Sequence, residues 1–96
     1  MPERISVLLV DDHNLVRQGF RRILEDEPDM QVVGEAGDGD DAIKLATKLK
    51  PRVIVMDCAL PKTTGLAAAR KILSVLPDTA VLMLSMHSEE TWVRQG

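Results

Sequence analysis

The chain has 96 residues, 45% of them apolar, with 12 basic and 15 acidic side chains and a formal net charge of −3. This length allows one domain, and the acidic balance argues against direct nucleic-acid binding, which normally needs a clustered basic face. The single cysteine excludes an internal disulfide. We find neither a signal peptide nor an apolar stretch long enough for a membrane span, so we expect a cytoplasmic protein without a membrane partner.

The first half of the chain alternates between strand and helix patterns. Residues 5–10 are an apolar run that predicts a buried strand. An amphipathic helix follows and ends near residues 26–28; one side carries Val16, Phe20, Ile23 and Leu24, and the other carries Arg17, Gln18, Arg21 and Arg22. Residues 30–36 form a more polar strand suited to a sheet edge. Acidic residues at 38–41 open a second helix, which Pro51 ends; its buried stripe is Ala42, Leu45, Ala46 and Leu49.

The second half repeats this alternation. Residues 53–56 predict a third strand, residues 58–65 a loop, residues 66–76 a helix that Pro77 ends, and residues 80–84 a fourth strand. Residues 88–90 resemble another helix start. The whole order predicts an α/β fold with a parallel sheet, right-handed crossovers and helices on both faces.

Three acidic residues stand directly after apolar strands. Asp11 and Asp12 follow the first strand, and Asp57 follows the third. The carboxyl ends of parallel strands meet at one edge of a sheet, where ligands bind. Close carboxylates repel one another and would raise a pKa unless a divalent cation offset their charge. A hard cation such as Mg²⁺ takes oxygen ligands, so the pattern favours a Mg²⁺ site over three solvated turn residues.

The chain resembles the receiver domain of two-component response regulators. The matching segments are Val-Asp-Asp-His at 10–13, Val-Met-Asp at 55–57 followed by Leu60, Pro61 and Gly65, and Leu-Ser at 84–85. The Asp-Asp-His motif, with Val-Val-Gly-Glu-Ala at 32–36 and Gly-Leu-Ala-Ala-Ala at 65–69, is most similar to the NarL/FixJ type. Members of that type usually carry a C-terminal LuxR-type helix-turn-helix.

This resemblance implies a flavodoxin-like doubly wound parallel sheet of order 2-1-3-4 and a set of roles. Asp57 would accept a phosphoryl group from a sensor histidine kinase, so the chain would be an acceptor and not an enzyme. Asp12 and Asp57 would bind Mg²⁺ together with the Ala59 backbone carbonyl, and Asp11 would act largely through a water. Ser85 would be the switch hydroxyl that contacts the phosphoryl group.

The resemblance also implies that something is missing. The family's fifth strand, the lysine after it and the last helix have no counterpart in residues 1–96, so we expect a C-terminally incomplete receiver domain. DNA would be bound through a helix-turn-helix domain outside this chain. Residues 80–84 would then form an apolar sheet edge, which favours a homodimer that covers it.

Four further side chains carry weaker expectations. We expect His13 to be a solvated loop residue, Cys58 a small buried hydrophobe, Lys62 an exposed residue and Trp92 a packing residue of the last helix segment.

Three other functions stay open. A phosphorylation-independent pseudo-receiver would serve as a dimerisation or interaction module. An aspartyl-phosphate phosphatase of the haloacid dehalogenase type would need a second acid two residues after Asp57, where Ala59 stands. A flavodoxin-like mononucleotide binder would need a Gly, Ser and Thr loop where the chain has Asp-Asp-His-Asn.

Overall fold

A computed structural model describes residues 4–60 and 63–84. The elements in chain order are β1 (Ile5–Val10), α1 (Asn14–Glu25), β2 (Met30–Ala36), α2 (Gly39–Leu49), β3 (Val53–Asp57), α3 (Gly65–Val75) and β4 (Ala80–Leu84). The predicted elements are present; β1, β2 and β4 have the predicted bounds, and those of β3 and α3 differ by one residue. The helix start predicted at 88–90 lies outside the described residues.

The four strands are parallel and lie in the order β2-β1-β3-β4. This confirms the predicted order 2-1-3-4 and the predicted edge position of β2. The chain moves outward from β1 to β2 and then returns past β1 to β3. The loops after β1 and β3 therefore leave in opposite directions, and a crevice opens between them at the carboxyl ends of the strands.

A bulge in β2 changes which face its residues reach. Val7 pairs with Val32, but Leu8 pairs with Gly34, so Val33 is an inserted residue. Val32 consequently packs on the α1 side of the sheet, whereas Ala36 packs on the α2 and α3 side. Val32 and Ala36 are four positions apart, so in a regular strand both side chains would lie on the same face. The bulge thereby places Glu35 on the α1 side.

The sheet divides the core into two unequal clusters. The larger one, under α2 and α3, contains Leu8, Val10, Ala36, Ala42, Ala46, Ile54, Met56, Leu60, Ala68, Ala69 and Ile72. The smaller one, on the α1 side, contains Val7, Leu9, Val32 and Val55. Of the predicted α2 stripe, Ala42 and Ala46 are buried and the two leucines are half-buried.

Helix α1 packs through a face that overlaps the predicted one but is rotated relative to it. Phe20 and Leu24 pack against the smaller cluster, whereas Ile23 is 63% exposed. The predicted placement of Ile23 in the buried stripe is therefore wrong. Successive residues are about 100° apart around a helix, so a face centred on Phe20 and Leu24 turns Ile23 away and brings Arg17 to the inner edge. The predicted placement of Arg17 on the solvent side is wrong for the same reason.

The ends of α2 and α3 are fixed by local hydrogen bonds. The Asp41 backbone N–H donates to Asp38 Oδ1 at 2.8 Å, and the Ala67 N–H donates to Thr64 Oγ1 at 3.1 Å. Lys50 ends α2 in the left-handed region, with φ 49°, directly before Pro51. The caps hold the loops that precede both helices at the carboxyl end of the sheet. In the described part of the chain, no helix is long and apolar enough to cross a membrane.

Candidate functional site

The first half of the site is the turn after β1. The Asp11 backbone N–H donates to the Ala36 carbonyl at 3.0 Å, which continues the pairing of β1 with β2 by one residue. The Asp11 carboxylate is buried, and its Oδ1 accepts a hydrogen bond from the His13 N–H at 2.8 Å. The Asp12 side chain is 37% exposed. The turn thus presents one buried and one open carboxylate to the crevice.

The second half is the end of β3. Asp57 is the last residue of the strand and is only 4% exposed. Its neighbour Cys58 donates its backbone N–H to the Leu84 carbonyl at 3.0 Å, so the main chain stays anchored to β4 beyond Asp57. Asp57 Oδ1 accepts a hydrogen bond from the Ala59 N–H at 3.1 Å. These contacts orient the Asp57 carboxylate at the floor of the crevice.

The structure brings the three predicted acids together and adds a histidine. One ligand atom each from Asp11, Asp12, His13 and Asp57 lie within 4.8 Å of one another. The acids come from strands that are neighbours in the sheet but 46 residues apart in the chain, counted from Asp11 to Asp57. The prediction that acids at strand ends would meet at one edge is confirmed.

The environment of Asp57 makes its charged carboxylate less favourable than it would be in water. Burial raises the pKa of the Asp57 carboxyl, and the negative charges of Asp11 and Asp12 raise it further. The Ala59 N–H acts in the opposite direction because it stabilises the carboxylate. A positive charge in the crevice would remove this electrostatic cost.

His13 lies against the acids although its ring is mostly in solvent. Its Nδ1 is 2.8 Å from Asp11 Oδ1 and 3.1 Å from Asp12 Oδ1, and its side chain is 60% exposed. The hydrogen bond to Asp11 and the charge of Asp12 raise the pKa of the imidazole. The expected exposure is confirmed, but the expectation of a purely solvated residue missed these two contacts.

Sequence reasoning also missed Arg17. Its Nη1 donates to the Asp11 carbonyl at 2.5 Å, its Nη2 donates to Asn14 Oδ1 at 2.6 Å, and its Nε donates to Glu35 Oε1 at 3.0 Å. Glu35 also accepts from Arg21. Glu35 is 18 residues from Arg17 in the chain and faces α1 only because of the β2 bulge, so no local sequence pattern signals this network.

Gly65, at the start of α3, was part of the motif that carries the family resemblance, but sequence reasoning assigned it no role at the site. Its N–H donates to the Cys58 carbonyl at 3.0 Å. A Cβ at this position would lie 2.3 Å from the Asp57 carbonyl oxygen and 2.9 Å from Cys58 Cα. Only glycine allows α3 to begin this close to the strand that carries Asp57. A glycine at a loop-to-helix junction was the available signal.

A protein-family model identifies the kind of domain that carries this acidic crevice. The family model for the response regulator receiver domain matches residues 7–96. The chain belongs to this family. The matched residues include the Asp pair after β1 and the single Asp at the end of β3. They also include nearly all of the four-stranded sheet.

Individual relatives agree with the assignment. YxjL of Bacillus subtilis, described as an uncharacterized transcriptional regulatory protein, is 46% identical over 94 residues, which are 98% of this chain and 43% of that protein. Among solved structures, the signal receiver domain of the response regulator NarL from Mycobacterium tuberculosis is 39% identical, with a TM-score of 0.86 over 92% of this chain and 71% of that chain.

A further solved structure is RcsB of Salmonella enterica serovar Typhimurium, bound to a promoter in the presence of the phosphomimetic BeF₃⁻. It is 30% identical, with a TM-score of 0.80 over 88% of this chain and 43% of that chain. The receiver therefore spans less than half the length of YxjL and RcsB.

The donor set of the receiver suits a hard cation. Asp11, Asp12 and Asp57 offer only oxygen, and one of the three side chains is open to solvent. Mg²⁺ is commonly held by one or two carboxylates while it keeps several waters. The residues present therefore fit Mg²⁺. Ala59 is exposed beside Asp57, at the place where the resemblance puts a carbonyl ligand.

The remaining candidates fall into two groups. Cys58 is half-buried, less than predicted, and burial together with the nearby charge of Asp57 raises the pKa of its thiol. A raised thiol pKa disfavours the reactive thiolate. Ser85, Lys62 and Trp92 lie outside the described residues, so their predicted roles stay predictions.

Proposed function

We propose that this receiver is the phosphoacceptor module of a transcription regulator and that Asp57 is phosphorylated by a sensor histidine kinase in a Mg²⁺-dependent reaction. The observation that carries the proposal is the position of Asp57. It is a buried carboxylate at a strand end, within 4.8 Å of Asp11 and Asp12, at the floor of an open crevice. Membership of the receiver family supports it.

The chemistry follows from the carboxylate. An Asp57 oxygen attacks phosphorus, the P–N bond of the kinase's phosphohistidine breaks, and its electron pair stays with the imidazole nitrogen, so the products are an acyl phosphate and histidine. The Ala59 N–H holds the carboxylate in place during the attack. Asp57 is consumed as the acceptor, so the chain is a substrate of the kinase and not an enzyme acting on a separate molecule.

The metal would be held by Asp12, Asp57 and the Ala59 backbone carbonyl, with Asp11 acting largely through a water. When bound, Mg²⁺ would offset the repulsion between the Asp57 carboxylate and the anionic phosphoryl group. The raised pKa of Asp57 supports this assignment because a carboxylate with that environment is stabilised by a nearby cation.

The output would be a change in a transcription regulator. Ser85 would hydrogen-bond the phosphoryl group and so shift the receiver between two conformations. A LuxR-type helix-turn-helix outside this chain would bind DNA, and a homodimer would be the active form in the cytoplasm. The regulatory name of YxjL and the promoter and BeF₃⁻ in the RcsB structure support this part of the proposal.

The test is incorporation of phosphoryl label from acetyl phosphate into the wild-type chain, Asp57→Asn and Asp78→Asn. Asp78 is an exposed acid in the turn before β4, at the opposite end of the sheet, and is the matched control. We expect labelling of the wild type and Asp78→Asn that disappears with EDTA, and no labelling of Asp57→Asn.

Two results would contradict the proposal. Equal labelling of Asp57→Asn would show that another residue is the acceptor. Absence of labelling, both here and in a longer protein that contains this chain, would favour the pseudo-receiver, a module that acts through binding alone.

A further inference from the structure

The turn that carries Asp11 and Asp12 is held by one side chain from α1. The Arg17 guanidinium contacts three different elements: the Asp11 carbonyl in the turn, Asn14 at the start of α1 and Glu35 on β2. Its side chain is only 18% exposed. A planar guanidinium presents five N–H donors in a fixed arrangement, which allows one residue to fix three acceptors at once.

The anchor of this arrangement is Glu35. Its side chain is 24% exposed, and both its oxygens are used, Oε1 by Arg17 at 3.0 Å and Oε2 by Arg21. Burial alone would raise the pKa of Glu35, but the hydrogen bonds from Arg21 and Arg17 outweigh it and lower the pKa. Glu35 is therefore a stable carboxylate on a strand of the sheet, and it gives Arg17 a fixed partner.

Arg21 is a natural comparison for Arg17. It lies one turn further along α1 and also pairs with Glu35, but its other partner is Glu25 at 3.1 Å, and its side chain is 44% exposed. Both arginines thus link α1 to β2. Arg17 differs because the structure connects it to the acidic turn.

We propose that Arg17 is a positioning residue of the acidic site: it fixes the Asp11 carbonyl and thereby holds the turn at 11–13 in the shape that presents Asp11 and Asp12 together. The inference rests on the proposed function, since it assumes that these carboxylates bind Mg²⁺. The acids repel one another, so a turn without this restraint separates them in the absence of metal. Bringing the acids back together when the metal binds would cost free energy, and the affinity for Mg²⁺ would fall.

The experiment compares Arg17→Lys with Arg21→Lys in the purified chain. A lysine ammonium keeps the charge but cannot reach three acceptors in a planar arrangement. We expect Arg17→Lys to raise the Kd for Mg²⁺ about tenfold, the lower end of what outer contacts to a metal site contribute. Arg21→Lys should change the Kd by less than about twofold. Calorimetric titration with MgCl₂ measures both values.

A second readout needs no metal. The His13 backbone N–H donates to Asp11 Oδ1 inside the turn, whereas the Ala59 N–H donates to Asp57 Oδ1 on the other side of the crevice. In Arg17→Lys, hydrogen exchange of the His13 amide should accelerate relative to Arg21→Lys, and exchange of the Ala59 amide should not. Urea unfolding of each variant identifies any general loss of stability.

The outcomes separate this inference from the proposed function. An unchanged Kd and unchanged His13 exchange in folded Arg17→Lys would overturn the positioning role and leave the receiver function intact. Equal losses in Arg17→Lys and Arg21→Lys would also overturn it, since general docking of α1 would then suffice. A wild-type chain that binds no Mg²⁺ would refute the proposed metal site and with it this inference.

If Arg17→Lys does not fold, Glu35→Gln replaces it. Both arginines remain, but the charged anchor of Arg17 is lost. We expect a smaller rise in the Kd for Mg²⁺, about threefold, with the same faster exchange at His13. No change in either quantity would overturn the inference.

Discussion

The turns after β1 and β3 bring acids to the same crevice but are fixed in different ways. The β1 turn has one main-chain bond to β2, from the Asp11 N–H to the Ala36 carbonyl, and is otherwise held by side chains, with Arg17 on the Asp11 carbonyl and the His13 ring on the Asp11 carboxylate. The β3 turn is held by the main chain, through Cys58 to β4 and through Gly65 packed against the Asp57 carbonyl. A substitution can remove one side-chain restraint and leave the others in place, whereas a clash with the backbone forces the main chain itself to move. The β3 turn should therefore be the less tolerant of the two.

The largest effect should come from Gly65→Ala, which breaks the backbone restraint. The new Cβ would lie 2.3 Å from the Asp57 carbonyl oxygen, so either α3 or the strand end must move. Overpacking of this kind costs about 1–3 kcal/mol of unfolding free energy. We expect a loss of that size in urea unfolding, together with weaker Mg²⁺ binding because Asp57 is displaced.

The matched control is Gly19→Ala on the exposed side of α1. A Cβ there meets no atom within 4 Å among the described residues. Alanine stabilises an exposed helix interior over glycine by about 0.5–1 kcal/mol, so this substitution should increase the unfolding free energy. A destabilised Gly19→Ala, or an unaffected Gly65→Ala, would contradict the proposed contrast between the two turns.

The next effect concerns the buried acid itself. Asp57→Asn removes a carboxylate that is buried and lies near two other acids, so it should stabilise the metal-free chain at pH 7 by about 1 kcal/mol. The pKa of Asp57 is raised in the native state above its ordinary value of 3.8, so stability falls as the pH rises from that value through the native pKa. The advantage of Asn should be complete above the native pKa and vanish below about pH 3.8.

Urea unfolding at several pH values, with and without MgCl₂, measures this effect. Saturating Mg²⁺ should reverse the order, since a ligand that binds only the native wild type stabilises it. Asp78→Asn, at the far end of the sheet, should show neither the gain nor the reversal. Equal stability of Asp57→Asn and wild type at every pH would show that the carboxylate carries no electrostatic cost.

The smallest expected effect is a shift in the His13 pKa, which tests whether the imidazole ring helps to hold the β1 turn. Its pKa is raised above the ordinary 6.5 by Asp11 and Asp12. The contribution of this contact to stability is therefore present below pH 6.5 and is lost as the pH rises through the native pKa. An NMR titration of the imidazole should show a pKa above 6.5 in wild type and a lower value in Asp11→Asn.

Bound Mg²⁺ should also lower the His13 pKa, because it neutralises the same carboxylates. Asp40→Asn, an exposed acid on α2, is the control that should leave the titration unchanged. A His13 pKa that does not respond to Asp11→Asn would remove the ring from the restraints on the β1 turn.

The sequence predicted the fold of this molecule more completely than the contacts that hold its site. The strand and helix patterns predicted a parallel sheet and the approximate bounds of the described elements, since hydrophobic periodicity and end signals are local properties. The strand order 2-1-3-4 came from the family resemblance. The acids at 11, 12 and 57 were predicted to meet because the carboxyl ends of parallel strands must share an edge. The roles assigned to Ser85 and to the Ala59 carbonyl came from the family resemblance and remain predictions.

What the sequence determined by itself was the set of acids and the strands that carry them. Tertiary structure decided how those acids are held. The bulge at Val33 turned Glu35 toward α1, the rotation of α1 turned Arg17 inward and Ile23 outward, and the close approach of α3 made Gly65 part of the site. Each depends on how two elements pack against each other. Local periodicity records which side chains are apolar, but it does not record the rotation or distance at which one element meets another.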